Sequence, residues 1–380
     1  MPFSPDRGAE NLLRNCAEAQ PGERVLIATE PAALGYYDAA TADRVEAVAR
    51  RLGLSVSRVD VGFEPRDPRL PDALLARVAD ADIVLFLARL GDQLRFSDMP
   101  AGKRVVVCFA HREELLGSAF GTADYRAFTA LKAAVDACLA RARRIRVTCP
   151  AGTEVTGAAP SPGGATHEDT TLRRFPMSVF SPVPAQGFSG RVALRFLTGT
   201  GSRYYPSQTV HFDAPVHACL EDGRLTGFDG AAADVARADA HYDRVARMFS
   251  IDRNAVHSWH AGIHPGCGFP WDMTAHPDRW SGAAFGNPRI LHFHTCGAYA
   301  PGEISWNAFD PTLEVDGTAL WERGVLRVDR LPGGPAILRR FPDAARIFAQ
   351  PDTEIGVTLP WPAAAAAPAA GALHGGEALG

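Results

Sequence analysis

Two apolar stretches, Asp82-Ile-Val-Leu-Phe-Leu87 and Lys103-Arg-Val-Val-Val-Cys108, decide the fold class of the first half of the sequence. Each is short and nearly uninterrupted in Val, Ile and Leu, as in a strand that is covered on both faces. A third such run, Arg24-Val-Leu-Ile-Ala28, lies earlier in the chain. Helical patterns separate these runs, at 41–52, 71–81 and 125–144. The alternation predicts an α/β domain with a mostly parallel sheet over residues 1–145.

The sequence pattern changes near Ile145. Short alternating runs follow, and Asp222-Gly223 lies between two of them as in a tight β-hairpin. A helical pattern covers 231–248, and further strand patterns cover 255–260, 289–294 and 325–328. We therefore expect a second, α+β domain over 146–358 with largely antiparallel strands. Residues 359–380 are rich in Ala, Pro and Gly and are predicted to form a disordered tail.

The overall composition excludes several classes of protein. A chain of 380 residues with 46% hydrophobic residues can form two domains with sizeable cores. The formal net charge of -4 argues against binding to nucleic acid or to an anionic membrane. The seven cysteines are scattered singly, which argues against a disulfide framework and favours a reducing cytoplasm. No apolar segment has the length of a membrane span or forms a signal peptide.

The first half of the sequence lacks the common phosphate-binding motifs. No GxGxxG follows the first predicted strand, and GxxxxGK[ST] does not occur. A nucleotide cofactor is therefore not predicted. The interpretation of this half is a scaffold that mediates self-association, so that the protein is expected to be a homo-oligomer.

A histidine-rich segment between His257 and Asp316 is the strongest candidate for chemistry. Of the 12 histidines in the chain, six lie in this segment. They are His257, His260, His264, His276, His292 and His294, and Asp310 and Asp316 follow closely. Imidazole and carboxylate are ligands of iron, zinc and manganese in proteins. The segment therefore predicts a metal-centred active site.

Strand periodicity predicts which of these side chains share a face. If residues 258–265 are extended, His260 and His264 point to the same side, because side chains alternate along a strand. By the same rule His292 and His294 share a face of a later strand. Two adjacent strands could then bring His260, one of the latter pair and Asp310 together. Such a two-His, one-carboxylate set is typical of non-haem iron oxygenases.

A structural role for each histidine is the alternative. A single histidine on a half-buried strand is commonly a hydrogen-bonded structural residue. The spacing of the histidines is weak evidence for a metal site, because the chain contains no HExxH motif, whose metal-binding geometry is known.

Five segments in a fixed order carry a resemblance to a known family. They are Pro21-Gly-Glu-Arg-Val-Leu-Ile27, Val147-Thr-Cys-Pro-Ala-Gly-Thr-Glu-Val-Thr156, Phe175-Pro-Met-Ser-Val-Phe-Ser-Pro182, residues 216–230 with Glu221-Asp-Gly-Arg224 and Phe228-Asp-Gly230, and Ser258-Trp-His-Ala-Gly-Ile-His-Pro265. Together they span most of the chain and resemble the aminopeptidase T superfamily, which also contains 2,5-dihydroxypyridine 5,6-dioxygenase. The last segment is similar to the "SHIGWGxNP" segment of the dioxygenase branch.

The sequence also departs from this family at its metal ligands. The peptidase branch has a metal-binding Glu where this chain has Pro176-Met-Ser-Val179, and a second Glu near the position of His260. These losses argue against a two-metal aminopeptidase. Both branches end with an "HxD" pair of ligands, which here is Ala308-Phe-Asp310 and lacks the histidine. The dioxygenase branch has a His that an ungapped match places on Ser258, so that His260 needs a small shift and His257 is a rival.

The resemblance implies a divergent, dioxygenase-like enzyme with one non-haem Fe(II). Its expected ligands are His260, His294 and Asp310, with His264 as the alternative third ligand. His292 and His111 are candidates for proton transfer; His111 follows the strand that ends at Cys108. The expected substrate is a small hydroxylated aromatic or heteroaromatic compound.

Three other hypotheses remain open at this point. One is an aminopeptidase T-like hydrolase that uses zinc or another divalent metal. Another is a metal-free member of the superfamily with a binding role or different chemistry, which Ala308 favours. The third is a structural or assembly subunit.

Overall fold

The structure is a computed structural model, and it describes residues 3–64, 70, 72–95, 97, 99–158, 172–199, 209–297 and 302–358. The predicted tail, 359–380, lies outside the described residues, as do residues 159–171. No helix in the part of the chain that the structure describes is long and apolar enough to cross a membrane.

The first half forms a five-stranded parallel sheet with the order β2-β1-β3-β4-β7. Its strands are β1 (Arg24–Thr29), β2 (Ser55–Asp60), β3 (Ile83–Leu87), β4 (Arg104–Cys108) and β7 (Arg173–Phe175). Every residue of β3 is buried, which explains its continuous Ile, Val and Leu content. The parallel α/β arrangement predicted for this half is confirmed.

Helices cover this sheet. They are α1 (Pro5–Glu10), which continues into a π-helical turn at Asn11–Cys16, α2 (Ala39–Arg51), α3 (Asp72–Asp80), α4 (Arg89–Gln93), α5 (Glu113–Gly117), α6 (Ala119–Thr122) and α7 (Tyr125–Leu139). Helix α2 buries Val45, Val48 and Ala49 along one face, which is the stripe that its helical spacing predicted.

The second half contains two antiparallel sheets. The larger has the order β11-β10-β9-β6-β5-β15-β16-β17, and the smaller has the order β14-β13-β12-β8. The strands are β5 (Ile145–Thr148), β6 (Glu154–Gly157), β8 (Val183–Pro184), β9 (Ser189–Leu197), β10 (Val210–Glu221), β11 (Arg224–Asp229), β12 (Val256–Ala261), β13 (Ile290–Cys296), β14 (Glu303–Phe309), β15 (Thr312–Val315), β16 (Thr318–Glu322) and β17 (Val325–Leu326). The helices are α8 (Ala232–Phe249), α9 (Pro277–Ala284), α10 (Gly334–Arg340) and α11 (Pro342–Ala349). The predicted α+β class is confirmed.

The predicted hairpin joins β10 to β11. Asp222 and Gly223 form its turn, and both have positive φ angles, of 46° and 72°. Gly tolerates this backbone conformation without strain and Asp does so better than most residues, which is why the dipeptide is a reliable hairpin signal.

The two halves share hydrophobic core and meet at the smaller antiparallel sheet. Strand β7 comes from the second half of the sequence but completes the parallel sheet. Trp280 and Phe309 of the second half pack into the same cluster as Leu12 and Val45 of the first. The first strand of the larger antiparallel sheet in chain order begins at residue 145. Residues after this point still pack against the first half.

A candidate metal centre

Three histidines lie on one face of the smaller antiparallel sheet. Strand β12 carries His260, and its neighbour β13 carries His292 and His294. His260 pairs directly with His292 across the two strands, while His294 pairs with Ser258. Directly paired residues, and residues two apart on one strand, project to the same side. The pairing of β12 with β13 therefore gathers three imidazoles that are 34 residues or less apart in sequence.

The three imidazole rings converge through their Nε2 atoms. The Nε2 of His260 lies 2.7 Å from that of His292 and 3.1 Å from that of His294. The possible ligand atoms of all three residues lie within 4.8 Å of one another. Ligands of one metal ion at nitrogen–metal distances of about 2.0–2.1 Å have similar separations. Three nitrogen atoms are thus positioned around a single point.

In two of the rings, a hydrogen bond from Nδ1–H leaves the lone pair on Nε2. The Nδ1–H of His260 donates to the carbonyl oxygen of Phe180 at 2.9 Å. The Nδ1–H of His294 donates to the carboxylate of Glu303 at 3.0 Å. A neutral imidazole that donates from Nδ1 has a lone pair on Nε2. In the neutral rings, the Nε2 lone pairs of His260 and His294 therefore face each other, an arrangement that a cation between them would stabilise.

Burial disfavours protonation of His260 and His292. His260 and His292 are 5% and 3% exposed. Burial lowers the pKa of both imidazoles well below the ordinary value of 6.5, and the neighbouring histidines lower it further. Near neutral pH these rings remain uncharged. A neutral imidazole is the form that binds a metal ion, so the environment prepares the cluster for ligation.

Residues from both halves of the protein orient His294. Its acceptor, Glu303 on β14, is completely buried and also accepts a hydrogen bond from Ser305 at 3.2 Å. Arg95, which follows α4, lies with its guanidinium 3.6 Å from the second carboxylate oxygen of Glu303. A carboxylate behind a metal-binding histidine fixes the tautomer and raises the basicity of the ring. The first half thus contributes to the site, in addition to any role as a scaffold.

The structure does not bring Asp310 to this cluster. Its carboxylate accepts two hydrogen bonds from Arg289, at 2.6 Å and 2.9 Å. Asp310 follows the end of β14 and has a φ angle of 49°, so the strand alternation no longer sets its direction. The two-His, one-carboxylate set expected from the sequence is replaced by three histidines. His292, expected in proton transfer, supplies the third nitrogen.

His264 also lies apart from the cluster. Strand β12 ends at Ala261, so the alternation that would place His264 beside His260 stops before it. Its ring stacks on Phe128 with centroids 3.7 Å apart, and its Nδ1 accepts a hydrogen bond from the amide of Gly266. Burial lowers the pKa of His264 to about 3. His264 therefore occupies a position in the core, where burial favours its neutral form.

His111 is buried between the two halves, again outside the cluster. Its Nε2–H donates to the carbonyl oxygen of Arg279 at 3.2 Å, and its ring contacts the edges of Tyr36 and Tyr37. Burial, followed by the charge of Arg279, lowers the pKa of His111 to about 3. The proposed rival ligand His257 points to the other face of β12, where its Nε2–H donates to the carbonyl oxygen of Cys296 at 2.7 Å.

Two residues beside the cluster were not predicted from the sequence. Asn307 on β14 pairs directly with His292 and is 2% exposed, and neither of its side-chain amide atoms has a hydrogen-bond partner among the residues that the structure describes. Arg174 on β7 is partly buried, and its charge lowers the pKa of His260 and His292 beyond the effect of burial. Both residues come from strands whose pairing decides their position. An asparagine within a strand pattern otherwise rich in apolar residues is the one sequence signal available.

Ala308, in the place of the family histidine, faces the hydrophobic core. It pairs with Leu291 and lies in the same cluster as Trp306, on the side of β14 opposite Asn307. A histidine here would not reach the other three. The three clustered imidazoles therefore lie on β12 and β13. The site keeps these three nitrogen atoms although Ala308 stands where the family has a histidine.

The comparison with solved structures shows the same fold in a known enzyme. The structure of 2,5-dihydroxypyridine dioxygenase from Pseudomonas putida KT2440 matches with a TM-score of 0.56 and 13% sequence identity, covering 84% of this chain and 96% of that one. AmpT from Thermus thermophilus matches with a TM-score of 0.49 and 12% identity, covering 85% and 98%. The match to the dioxygenase structure confirms, at the level of the fold, the resemblance inferred from the sequence motifs. No protein-family model matches the chain, and neither does any curated protein sequence.

Proposed function

We propose that His260, His292 and His294 hold one divalent metal ion and that the protein is a metal-dependent enzyme. The observation that carries this proposal is the opposition of two Nε2 lone pairs at 3.1 Å, with a third Nε2 only 2.7 Å from one of them. A metal ion satisfies all three atoms at once. Three protein ligands also leave coordination positions open, as is usual for a catalytic metal.

We further propose that the metal is iron and that the enzyme is an oxygenase acting on a small hydroxylated aromatic or heteroaromatic compound. The shared fold with a dioxygenase supports this choice. Bound Fe(II) would supply the redox chemistry with dioxygen that protein side chains lack.

The side chains around the cluster have separate tasks in this proposal. Phe180 and Glu303 hold two imidazole rings in place by accepting from their Nδ1–H groups. Phe285 covers His292, with ring centroids 4.2 Å apart, and helps to exclude water. Asn307 offers an amide donor and an acceptor next to His292, where they could orient a bound molecule.

A zinc-dependent hydrolase is the second candidate, and one observation favours it. Among the described residues, the cluster consists of three histidines and contains no carboxylate ligand. Three neutral imidazoles form a well-known zinc site, in which a bound water is acidified to a pKa of about 7. The common iron site replaces one histidine by a carboxylate.

Metal analysis of matched variants tests the metal site that both candidate functions share. Protein purified without oxygen and supplied with Fe(II) or Zn(II) should contain one metal ion per chain. His292→Ala and His260→Ala should each weaken metal binding by at least about tenfold, because a direct ligand matters no less than the groups that orient it. His257→Ala is the control, since His257 lies on the same strand as His260 but faces away.

The results distinguish the candidates as follows. Oxygen consumption by the iron form with hydroxylated aromatic compounds supports the oxygenase, whereas ester or amide hydrolysis by the zinc form supports the hydrolase. Protein without stoichiometric metal under these conditions contradicts both and leaves the metal-free hypothesis. Equal loss of metal in His257→Ala and His260→Ala would also count against the assigned ligands.

A further inference from the structure

His292 lies on the middle one of three strands, so two side chains flank it directly. It pairs with His260 on β12 and with Asn307 on β14. Directly paired residues project to the same face of a sheet, with Cβ atoms about 4.5–5.5 Å apart. Asn307 is therefore the polar neighbour of His292 on the side away from His260.

Hydrogen bonds determine which nitrogen of His292 carries the hydrogen when no metal is bound. The Nδ1–H of His260 donates to the carbonyl oxygen of Phe180, so the Nε2 of His260 has a lone pair. The Nε2 of His292 lies 2.7 Å from this atom, and the contact is a hydrogen bond when His292 supplies the hydrogen. Burial lowers the pKa of His292, so the ring is neutral, with its hydrogen on Nε2 and a lone pair on Nδ1.

Metal binding requires the other tautomer of His292. A nitrogen that binds a metal ion must offer its lone pair, so Nε2 loses its hydrogen when it becomes a ligand. The ring stays neutral because Nδ1 gains a hydrogen as Nε2 releases one, with no net change in bound protons. The Nδ1–H of His260 has an acceptor in Phe180, and that of His294 has one in Glu303. An equivalent acceptor is what His292 still needs.

Three unpartnered polar atoms lie on these two adjacent residues. The Nδ1 of His292 and both amide atoms of Asn307 are enclosed, and none has a hydrogen-bond partner among the described residues. His292 is 3% exposed and Asn307 is 2% exposed. Buried polar atoms without partners are uncommon, because each has lost its bonds to water. The ring of Phe285, which covers His292, has no acceptor atom, so the amide of Asn307 is the group suited to Nδ1.

We propose that Asn307 is a positioning residue for His292, and that its Oδ1 accepts from the Nδ1–H of His292 when Nε2 binds the metal. Asn307 is not bonded to His292 in the structure, so the proposal requires its side chain to rotate when Nδ1 acquires the hydrogen. The resulting bond fixes the tautomer and the direction of the ring. This inference rests on the proposed metal site and adds to it the residue that orients the third ligand.

Zinc affinity of matched variants, measured by competition with a chelator, tests the proposal. Asn307→Leu has a similar shape but no acceptor, and it should weaken zinc binding by about tenfold, as is usual for the loss of a group that orients a ligand. Asn307→Asp keeps an acceptor and should bind zinc at least as tightly as the wild-type protein. An affinity of Asn307→Leu within about twofold of the wild-type value overturns the proposal. Equal weakening in Asn307→Leu and Asn307→Asp overturns it as well.

Thr295→Val is the control for a loss of stability alone. Thr295 lies next to His294 on β13 but faces the other side of the sheet, where it donates to the carbonyl oxygen of Ile304 at 2.8 Å. Its loss should lower the urea midpoint of the metal-free protein and leave zinc affinity within about twofold. Asn307→Leu removes two unpartnered buried atoms, so its metal-free midpoint should not fall. Equal weakening of zinc binding in both variants would trace the effect to stability and overturn the proposal.

NMR of protein with isotopically labelled histidine reports the tautomer directly. The signals of His292 are assigned by their absence in His292→Phe. In the metal-free protein the hydrogen should be on Nε2, and zinc should leave His292 with its hydrogen on Nδ1. A hydrogen on Nδ1 in both states, or zinc bound through Nδ1, overturns the proposal.

Metal content of the wild-type protein separates failure of this inference from failure of the proposed function. Bound metal with no effect of Asn307→Leu overturns the role of Asn307 and leaves the metal-dependent enzyme. Absence of any bound metal in protein supplied with Zn(II) or Fe(II) overturns the proposed metal site, and the role of Asn307 falls with it.

Discussion

His260 and His264 are four residues apart and both are buried, yet His260 faces other imidazoles and His264 faces the hydrophobic core. The ring of His260 donates from one nitrogen to a carbonyl and directs the other at two further imidazoles. The ring of His264 stacks on Phe128 and accepts one backbone hydrogen bond. Burial lowers the pKa of each. A lowered pKa therefore does not identify a site here; the convergence of nitrogen lone pairs does.

The difference arises where strand β12 ends. His260 is held in the regular ladder with β13, which directs it toward His292. Beyond Ala261 the chain turns, and Gly262 packs so closely on the backbone of Gly286 and Asn287 that a Cβ would lie 2.2 Å from the carbonyl oxygen of Asn287. That contact explains the glycine as a packing requirement and carries His264 into the core.

The largest expected effect comes from placing a fourth histidine on either face of β14. Ala308→His puts an imidazole into the apolar core beside Trp306 and should destabilise the protein by about 3 kcal/mol without tightening metal binding. Asn307→His, one residue earlier, projects toward His292 and should cost less stability. Urea unfolding and metal content measure both. Tighter metal binding in Ala308→His would contradict the assignment of its face.

The pH dependence of stability should distinguish the core histidine from an ordinary one. The pKa of His264 is about 3 in the folded protein and about 6.5 when unfolded, so the unfolded chain takes up the proton first. The stability that the neutral ring contributes is complete above pH 6.5 and is lost as the pH falls toward 3. His264→Phe should therefore lose about 2 kcal/mol less than the wild-type protein between pH 6 and pH 4. Parallel pH profiles for the two proteins would rule this out.

Removal of the charge behind His294 should have a moderate effect on the metal. Glu303→Gln keeps an acceptor for the Nδ1–H of His294 but loses the negative charge, which should weaken metal binding by about tenfold. Glu314→Gln is the control, because Glu314 pairs with Arg146 near the surface. Competition with a metal chelator measures both affinities. Unchanged affinity in Glu303→Gln would mean that the carboxylate does not support a ligand.

The smallest effect is expected at the aspartate that the sequence placed in the site. Asp310→Asn breaks a partly exposed ion pair with Arg289 and should cost about 1 kcal/mol of stability. Metal content should remain unchanged, because Asp310 lies outside the histidine cluster. A loss of metal comparable to that in His292→Ala would restore the two-His, one-carboxylate hypothesis. Thermal unfolding and elemental analysis of the same preparation provide the two measurements.

Local sequence patterns predicted much of the fold and part of the site. The continuous apolar runs at β1, β3 and β4 predicted a parallel sheet, since strands covered on both faces need apolar residues throughout. The alternation along β13 placed His292 and His294 on one face. The same rule failed for His264, because it holds only inside a strand and β12 ends at Ala261.

By itself the sequence determined the type of several strands and helices, and which side chains inside those segments face the same way. Those properties depend on local periodicity and burial. The tertiary structure alone decided that His260 lies opposite His292, that Asn307 rather than Ala308 faces them, and that Arg174 arrives from another sheet. Strand register and the packing of separate sheets set these contacts, because hydrogen bonding between strands is compatible with several registers until the whole core is formed.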